Sequence, residues 1–320
     1  NMAQIEFDMY IPPDVTVYTD GTIADADKPK VFSLHDNSKR ALMSFTGWGM
    51  PSIEYITQRG PFQHGVTLLD YRLEPRVLQY VYRQIGDCRE DYWDMRYLLL
   101  NAIRPNRGVG ACITPGRLRK ILPDGEIRDL MVMLEKGPPF RARTGDWDEW
   151  AITETLRFIA HDPIVLDPVR NSASWTLGTP TDELVFPITF PIVFGPAFID
   201  EPLDVTYAGN WLTYPTIVIT GPLNGPIIEN QSTDEILEIG WDIPSGKTLT
   251  INLAYGVKSV IDSDGVSRIG TLSTSSDLAT FHIAPDPEVA GGVNTLLVTG
   301  SSASVATAVV INWYDRYIGI

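Results

Sequence analysis

Apolar and polar side chains alternate with period two along most of this chain, and that is the pattern of half-buried strands. Arg76–Gln84 (RVLQYVYRQ) places Leu78, Tyr80 and Tyr82 on one face, with Pro75 marking the strand start. Gly116–Leu122 and Glu126–Leu134 flank Pro123-Asp124-Gly125 and predict a hairpin with an Asp-Gly turn. Trp150–Ala160 is a further alternating strand. One segment breaks the pattern. Cys88, Tyr92, Met95, Leu99 and Ile103 recur at helical spacing and predict a helix over Asp87–Ile103. Asp87 and Glu90 suit a capping box, and Arg104-Pro105 suits the stop. A second apolar row, Trp93, Tyr97 and Leu100, lies at another angle on the same helix. Either this chain covers both rows, or one faces another subunit.

Beyond Pro202 the chain reads as a β-sandwich. The expected strands are Val205–Ala208, Thr216–Thr220, Glu235–Trp241, Thr248–Leu253, Val257–Ile261, Leu278–Ala284, Asn294–Thr299 and Val305–Tyr314, with turns at Pro244–Lys247 and Asp264-Gly265. Between the halves, Glu183–Ile192 carries proline at every fourth position and reads as a stiff, extended connector. The expected fold is mostly β: a sandwich-like N-terminal domain with one helix (2–170), a proline-rich connector (171–203), and a C-terminal galectin-like or jelly-roll-like sandwich (204–320).

Charge supports that division. The 320 residues carry 25 basic and 40 acidic side chains, a net charge of −15. Residues 196–320 hold four basic and fourteen acidic residues, so the second part is far the more acidic. This balance argues against specific nucleic-acid binding, which needs clustered Lys and Arg. Ten arginines nevertheless lie between Arg59 and Arg119, either as local ion pairs or as contacts to another protein. Cys88 and Cys112 are too few for a disulfide scaffold and read as buried reduced thiols. No signal-peptide pattern and no apolar run of membrane-spanning length is visible, so the expectation is a protein made and kept soluble in a cytosol, or exported by lysis instead of secretion, and not inserted in a membrane.

Motifs for chemistry are missing. His35, His64, His161 and His282 are far apart, and none has metal-ligand spacing. There is no phosphate loop, nucleophile elbow or dinucleotide fingerprint. Asp262-Ser263-Asp264-Gly265 reads as a turn, and the Asn230-Gln231-Ser232 sequon as chance. No catalytic residue, metal or cofactor is expected. Trp211, Tyr214 and Trp241 are candidates for glycan stacking, or are sandwich core.

The stretch from Gly60 to Phe140 resembles the N-terminal domain of siphophage distal tail proteins. The residues that carry this are His64–Arg76, Leu98–Asn106, Pro115–Leu118, Pro123–Arg128 and Gly137–Phe140, in that order and spacing. The second half is similar to C-terminal domains of such tail components through Tyr214–Ile217, Ile243–Lys247, Phe281–Pro287, Gly291–Asn294 and Asn312–Tyr317. Residues 2–50 match poorly. The resemblance implies a non-enzymatic structural protein of the virion tail tip, forming a homohexameric ring around a channel. Its partners would be the tail tube, the tape measure protein, and the tail-tip and receptor-binding proteins. A ring needs one face of each copy to meet a different face of the next. Arg89, Trp93, Arg96, Tyr97 and Arg104 are the candidate subunit-interface residues, with Arg96 and Arg104 placed to form ion pairs. A carbohydrate-binding adhesion module and a glycan-degrading tail enzyme are the rival readings.

Overall fold

The computed structural model describes residues 8–36, 39–105, 114–140, 150–176 and 198–320. The chain divides into two compact units. One comprises 1–169 with the last four residues, Tyr317–Ile320, and the other Arg170–Arg316. The division therefore falls at 169/170. Residues 171–176, read from the sequence as the start of the connector, belong to a strand, and the Glu183–Ile192 run lies outside the described residues.

The first unit contains β1 (Met9–Ile11), β2 (Phe32–Ser33), β3 (Arg40–Thr46), β4 (Ile53–Gln58), β5 (Thr67–Leu73), β6 (Arg76–Ile85), α1 (Arg89–Ile103), β7 (Gly116–Ile121), β8 (Ile127–Lys136), β9 (Ala151–Ala160) and the start of β10 (Val165–Thr176). Long β8 serves three neighbours, meeting β10 at Leu166↔Asp129. Its first half pairs with β7 and its last residues with β9. From β7 the ladder continues through β1 to β2, and from β9 through β6 to β3. The ten-pair register of β6 with β9, Arg76↔Ala160 to Ile85↔Ala151, aligns the inward faces of both strands. Leu78, Tyr80 and Tyr82 then meet Leu156 and Phe158 in one core, as the alternation predicted. At the turn between β7 and β8, Asp124 accepts from the Glu126 amide and Gly125 takes a φ of 91°, a conformation that favours glycine.

Helix α1 starts at Arg89, two residues later than expected, and its cap moves by one. Cys88 is the N-cap, without a side-chain cap bond, and Asp91 rather than Glu90 reaches back, accepting from the Asp87 amide at 2.9 Å. Asp91 also holds Lys39 at 2.7 Å, which fastens the helix start to the β2–β3 segment. Cys88 is exposed, against the expectation of a buried thiol, because a cap at the helix entry sits outside the buried stripe. Cys112 lies outside the described residues.

The chain terminus returns to this unit, which the sequence did not foretell. Arg76 is buried at the start of β6 and donates to the carbonyls of Trp48 (3.0 Å) and Ile318 (2.6 Å). Burial lowers its pKa to about 10, still well above neutral. The Ile320 amide donates to Trp48, and Arg128 stacks on the ring of Tyr317.

The second unit is an antiparallel sandwich. One sheet runs β16 (Ser259–Asp262), β15 (Thr248–Asn252), β12 (Thr216–Thr220), β18 (Ala308–Tyr317), β10. The other runs β11 (Phe198–Thr206), β17 (Val293–Ser301), β13 (Asn224–Asn230), β14 (Glu235–Glu238). Ile217, Ile219 and Ile311 from the first sheet pack against Ile228, Leu296 and Val298 from the second. Strand β13 escaped the sequence reading because Gly225-Pro226 interrupts it at a bulge. The predicted strand Leu278–Ala284 is not one. The residues just before it meet the edge of β14, where the Asp277 amide donates to Ile236 and the Ser273 amide to Glu238, and within it Ile283 makes an isolated bridge to Thr213. Buried Phe281 and Ile283 imitate strand alternation.

Candidate assembly surfaces

Helix α1 buries Met95, Leu99, Ala102 and Ile103. Its second row does not follow them inward. Trp93 is 52% exposed, Tyr97 69% and Leu100 45%. Such a stripe is three aromatic or aliphatic side chains over two helical turns, facing outward. The arginines named with it differ in role. Arg89 and Arg104 are exposed at the two ends of the helix. Arg96 is turned along its own unit. Its guanidinium lies 3.9 Å from the ring centre of Phe140 and 4.5 Å from that of Trp93. It also faces Glu154, a buried carboxyl whose pKa is raised by burial and partly restored by the Phe140 amide and Arg96. Arg96 thus holds the helix to the segment after β8 and stiffens Trp93. Two other arginines of the cluster are buried: Arg76 holds the terminus, and Arg119 pairs with Asp129.

A second unpartnered surface was not singled out from the sequence. Among the described residues, strands β4 and β5 pair only with each other, forming a two-stranded ribbon. Their register sets Ile53 opposite Leu73, Tyr55 opposite Tyr71 and Thr57 opposite Leu68 on one face. Glu54 opposite Arg72 and Ile56 opposite Asp70 lie on the other. The apolar face is exposed, with Tyr55 at 59% and Leu68 at 61%.

In the second unit the three candidate glycan residues have different surroundings. Tyr214 and Trp241 pack on the sandwich core, and each carries a cation on its ring: Lys258 at 4.1 Å and Arg268 at 4.5 Å. Trp211 bridges to the end of β18 at Arg316. No ring pair joins the three among the described residues. The Asp262–Gly265 turn is a turn: Asp262 accepts from the Asp264 and Val266 amides and pairs with Arg268. Asn230 of the sequon is fully buried, and its amide donates to His282 and Asn294. Among the described residues no group of His, Cys, Asp and Glu could hold a metal.

The one strongly perturbed histidine is structural. His282 Nδ1 lies 2.9 Å from Glu235 and Nε2 3.2 Å from Glu288. Burial opposes its charge, but the two carboxylates outweigh burial and raise the pKa to about 9. A raised folded pKa stabilises fully below pH about 6.5 and loses its contribution as pH climbs toward about 9. Glu288 is half exposed, so the contribution is on the order of 2 kcal/mol after screening. The stability gap between the native chain and His282→Gln should therefore shrink across pH 6.5–9, measured by urea unfolding. A gap independent of pH over that range would contradict the charged clamp.

Two β-units, one helix in the first and a two-sheet sandwich in the second define a fold of the kind found in phage tail hub proteins. One similar solved structure is the Dit protein of phage SPP1, described as a paradigm of the hub adsorption apparatus in phages infecting Gram-positive bacteria. It matches 98% of this chain and 99% of its own, with a TM-score of 0.58 and 16% identity. The baseplate of phage P2 in its activated conformation gives a TM-score of 0.44 with calcium and 0.47 with strontium, each at 8% identity and covering 96% of this chain and 97% of the other. No protein-family model matches the sequence, and comparison with curated proteins finds no match. The distal-tail resemblance read from the sequence thus holds for the fold of nearly the whole chain.

Proposed function

We propose that this chain is a structural component of a long non-contractile phage tail tip, acting without catalysis. Copies close into a ring hub that joins the tail tube to the adsorption apparatus, at the tip of the virion tail. The observation that carries this reading is the end-to-end fold similarity to SPP1 Dit, covering both units and the helix. Two further features support it. The first unit presents two different apolar surfaces, as a closed ring of identical copies requires. The polar groups of the second unit are engaged in local structural bonds at the Asp262 turn, at Asn230 and at His282. In this role the ring would contact the tube and the tape measure protein, and the sandwich would support receptor-binding components.

Light scattering on the purified chain, with negative-stain imaging, tests the proposal. The expected result is ring-shaped particles with the mass of about six copies of 35.6 kDa. A monomer at every concentration, or turnover of a glycan substrate, would overturn it.

A further inference from the structure

The geometry points to a self-modification site in the second unit. Asn224 is converted to aspartate and isoaspartate through a succinimide ring closed by the backbone nitrogen of Gly225, with Asp242 as the base. Asn224 is the one asparagine of the sequence followed by glycine. In that pair no side chain hinders the approach of the following nitrogen to the carboxamide carbon. A regular ladder would hold that nitrogen in place, but here the ladder is interrupted. Asn224 pairs with Ser301 and Ile227 with Thr299, so Gly225 and Pro226 stand against Gly300 alone in the bulge. On the other side, the pairing of β13 with β14 begins only at Ile227. Pro226 has no N–H to give. The Gly225 N–H donates not to a strand but to the Asp242 carboxylate, at 3.1 Å.

The other requirements of the reaction meet at the same spot. Gly225 is exposed, and a side chain placed there would touch nothing within 4 Å. The Asn224 carboxamide is half-buried and tied by one hydrogen bond among the described residues, from Nδ2 to the exposed Ser302 hydroxyl at 3.2 Å. Turning it toward Gly225 therefore costs about 1 kcal/mol. Water has access, because Asn224, Gly225, Asp242, Thr299, Gly300 and Ser301 line an open cleft of about 470 Å³. Asp242 lies within hydrogen-bond reach of the proton it must take. The Gly225 nitrogen gives that proton to Asp242 and bonds to Cγ of Asn224. The Cγ–Nδ2 bond breaks, and Nδ2 leaves as ammonia with the proton returned by Asp242. Water then opens one of the two succinimide carbonyls. One opening leaves aspartate on the ordinary backbone, and the other leaves isoaspartate, with the chain routed through the side-chain carbon. Isoaspartate lengthens the backbone by one atom where the bulge already sets two residues against one, so buried Leu223 and Ile228 keep their places in the core. Either product sets a new carboxylate beside Asp242 and removes the donor to Ser302.

Peptide mass spectrometry tests the site on the full chain, aged in mildly alkaline buffer with and without urea and then digested. The expected result in native buffer is a time-dependent gain of the amide-to-acid mass difference at Asn224, the largest at any asparagine. Chromatography should resolve an isoaspartate and an aspartate form of that peptide. Asn224→Gln abolishes the signal, since glutamine would have to close a six-membered ring. Asp242→Asn keeps an oxygen for the Gly225 amide but not its basicity. It should slow the native reaction about tenfold or more and leave the rate in urea unchanged, because only the fold brings Asp242 to Gly225. Conversion confined to urea would show that the fold protects Asn224 and would overturn the inference. So would a native rate that is unchanged or raised in Asp242→Asn. Isomerisation at Asp124-Gly125 or Asp264-Gly265 brings no gain in mass, so it does not imitate the expected signal.

Discussion

Asp129→Ala should lower the stability of the first unit by about 3–5 kcal/mol, the cost of stranding a buried charge. Asp129 is fully buried in β8, and Arg119 opposite it in β7 is 4% exposed. Their contact is bidentate, Nε to Oδ1 at 2.7 Å and Nη2 to Oδ2 at 2.8 Å. The remaining nitrogen of Arg119 donates to the Gly21 carbonyl at 2.6 Å, and Arg117 approaches Asp129 from 3.6 Å. One carboxylate therefore compensates a guanidinium that also pins the loop after β1. Removing it leaves that guanidinium dry and unpaired. Arg119→Met/Asp129→Leu removes both charges and should recover most of the loss, because desolvation and attraction vanish together. Urea unfolding followed by hydrogen exchange of the β7–β8 amides would report it. A single-variant loss below about 1 kcal/mol would show that water reaches the pair.

That pair was within reach of the sequence. Once Asp124-Gly125 is placed as the turn, counting outward sets Arg119 across from Asp129 on the same face. The β6 face, the β7–β8 hairpin and β12 were legible for the same reason: turn residues fix the register, and alternation fixes the face. The alternation of β4 and β5 was equally visible in the sequence, but a period of two says which residues share a face and not what covers it. Hence the ribbon escaped notice as a surface. The helix was the converse case, since its excess apolar row implied a second contact whatever covered the first. Long-range returns left no local mark. Neither the carbonyls awaiting Arg76 nor the edge of β14 met by Ser273 and Asp277 could be read from neighbours in sequence. For the glycan candidates, aromatic residue type does not distinguish a platform from a core rim, and Tyr214 and Trp241 sit at the rim beneath cations.

The two units also separate fold stability from assembly, and Asn294→Ala exploits this. Asn294 is fully buried at the start of β17. Its oxygen accepts from the Ala284 amide at 2.9 Å and from Asn230 at 3.3 Å. Its nitrogen donates to the carbonyls of Ala284 at 2.9 Å and Gly292 at 3.1 Å. One side chain thus ties Ala284 to the second sheet. Alanine would leave the buried amide and carbonyl of Ala284 without that partner and take one of two bonds each from Asn230 and the Gly292 carbonyl, for a loss of about 2–4 kcal/mol in the second unit. Asn294→Asp keeps the shape but turns a donor into an acceptor facing two carbonyls, so it should cost at least as much. Asn230→Ala breaks fewer of these bonds and should cost less. Both surfaces assigned to ring closure lie in the first unit. At temperatures where the second unit of Asn294→Ala stays folded, its ring mass should therefore equal that of the native chain. A ring lost together with second-unit stability would place the subunit contact in the sandwich instead of on the ribbon and helix.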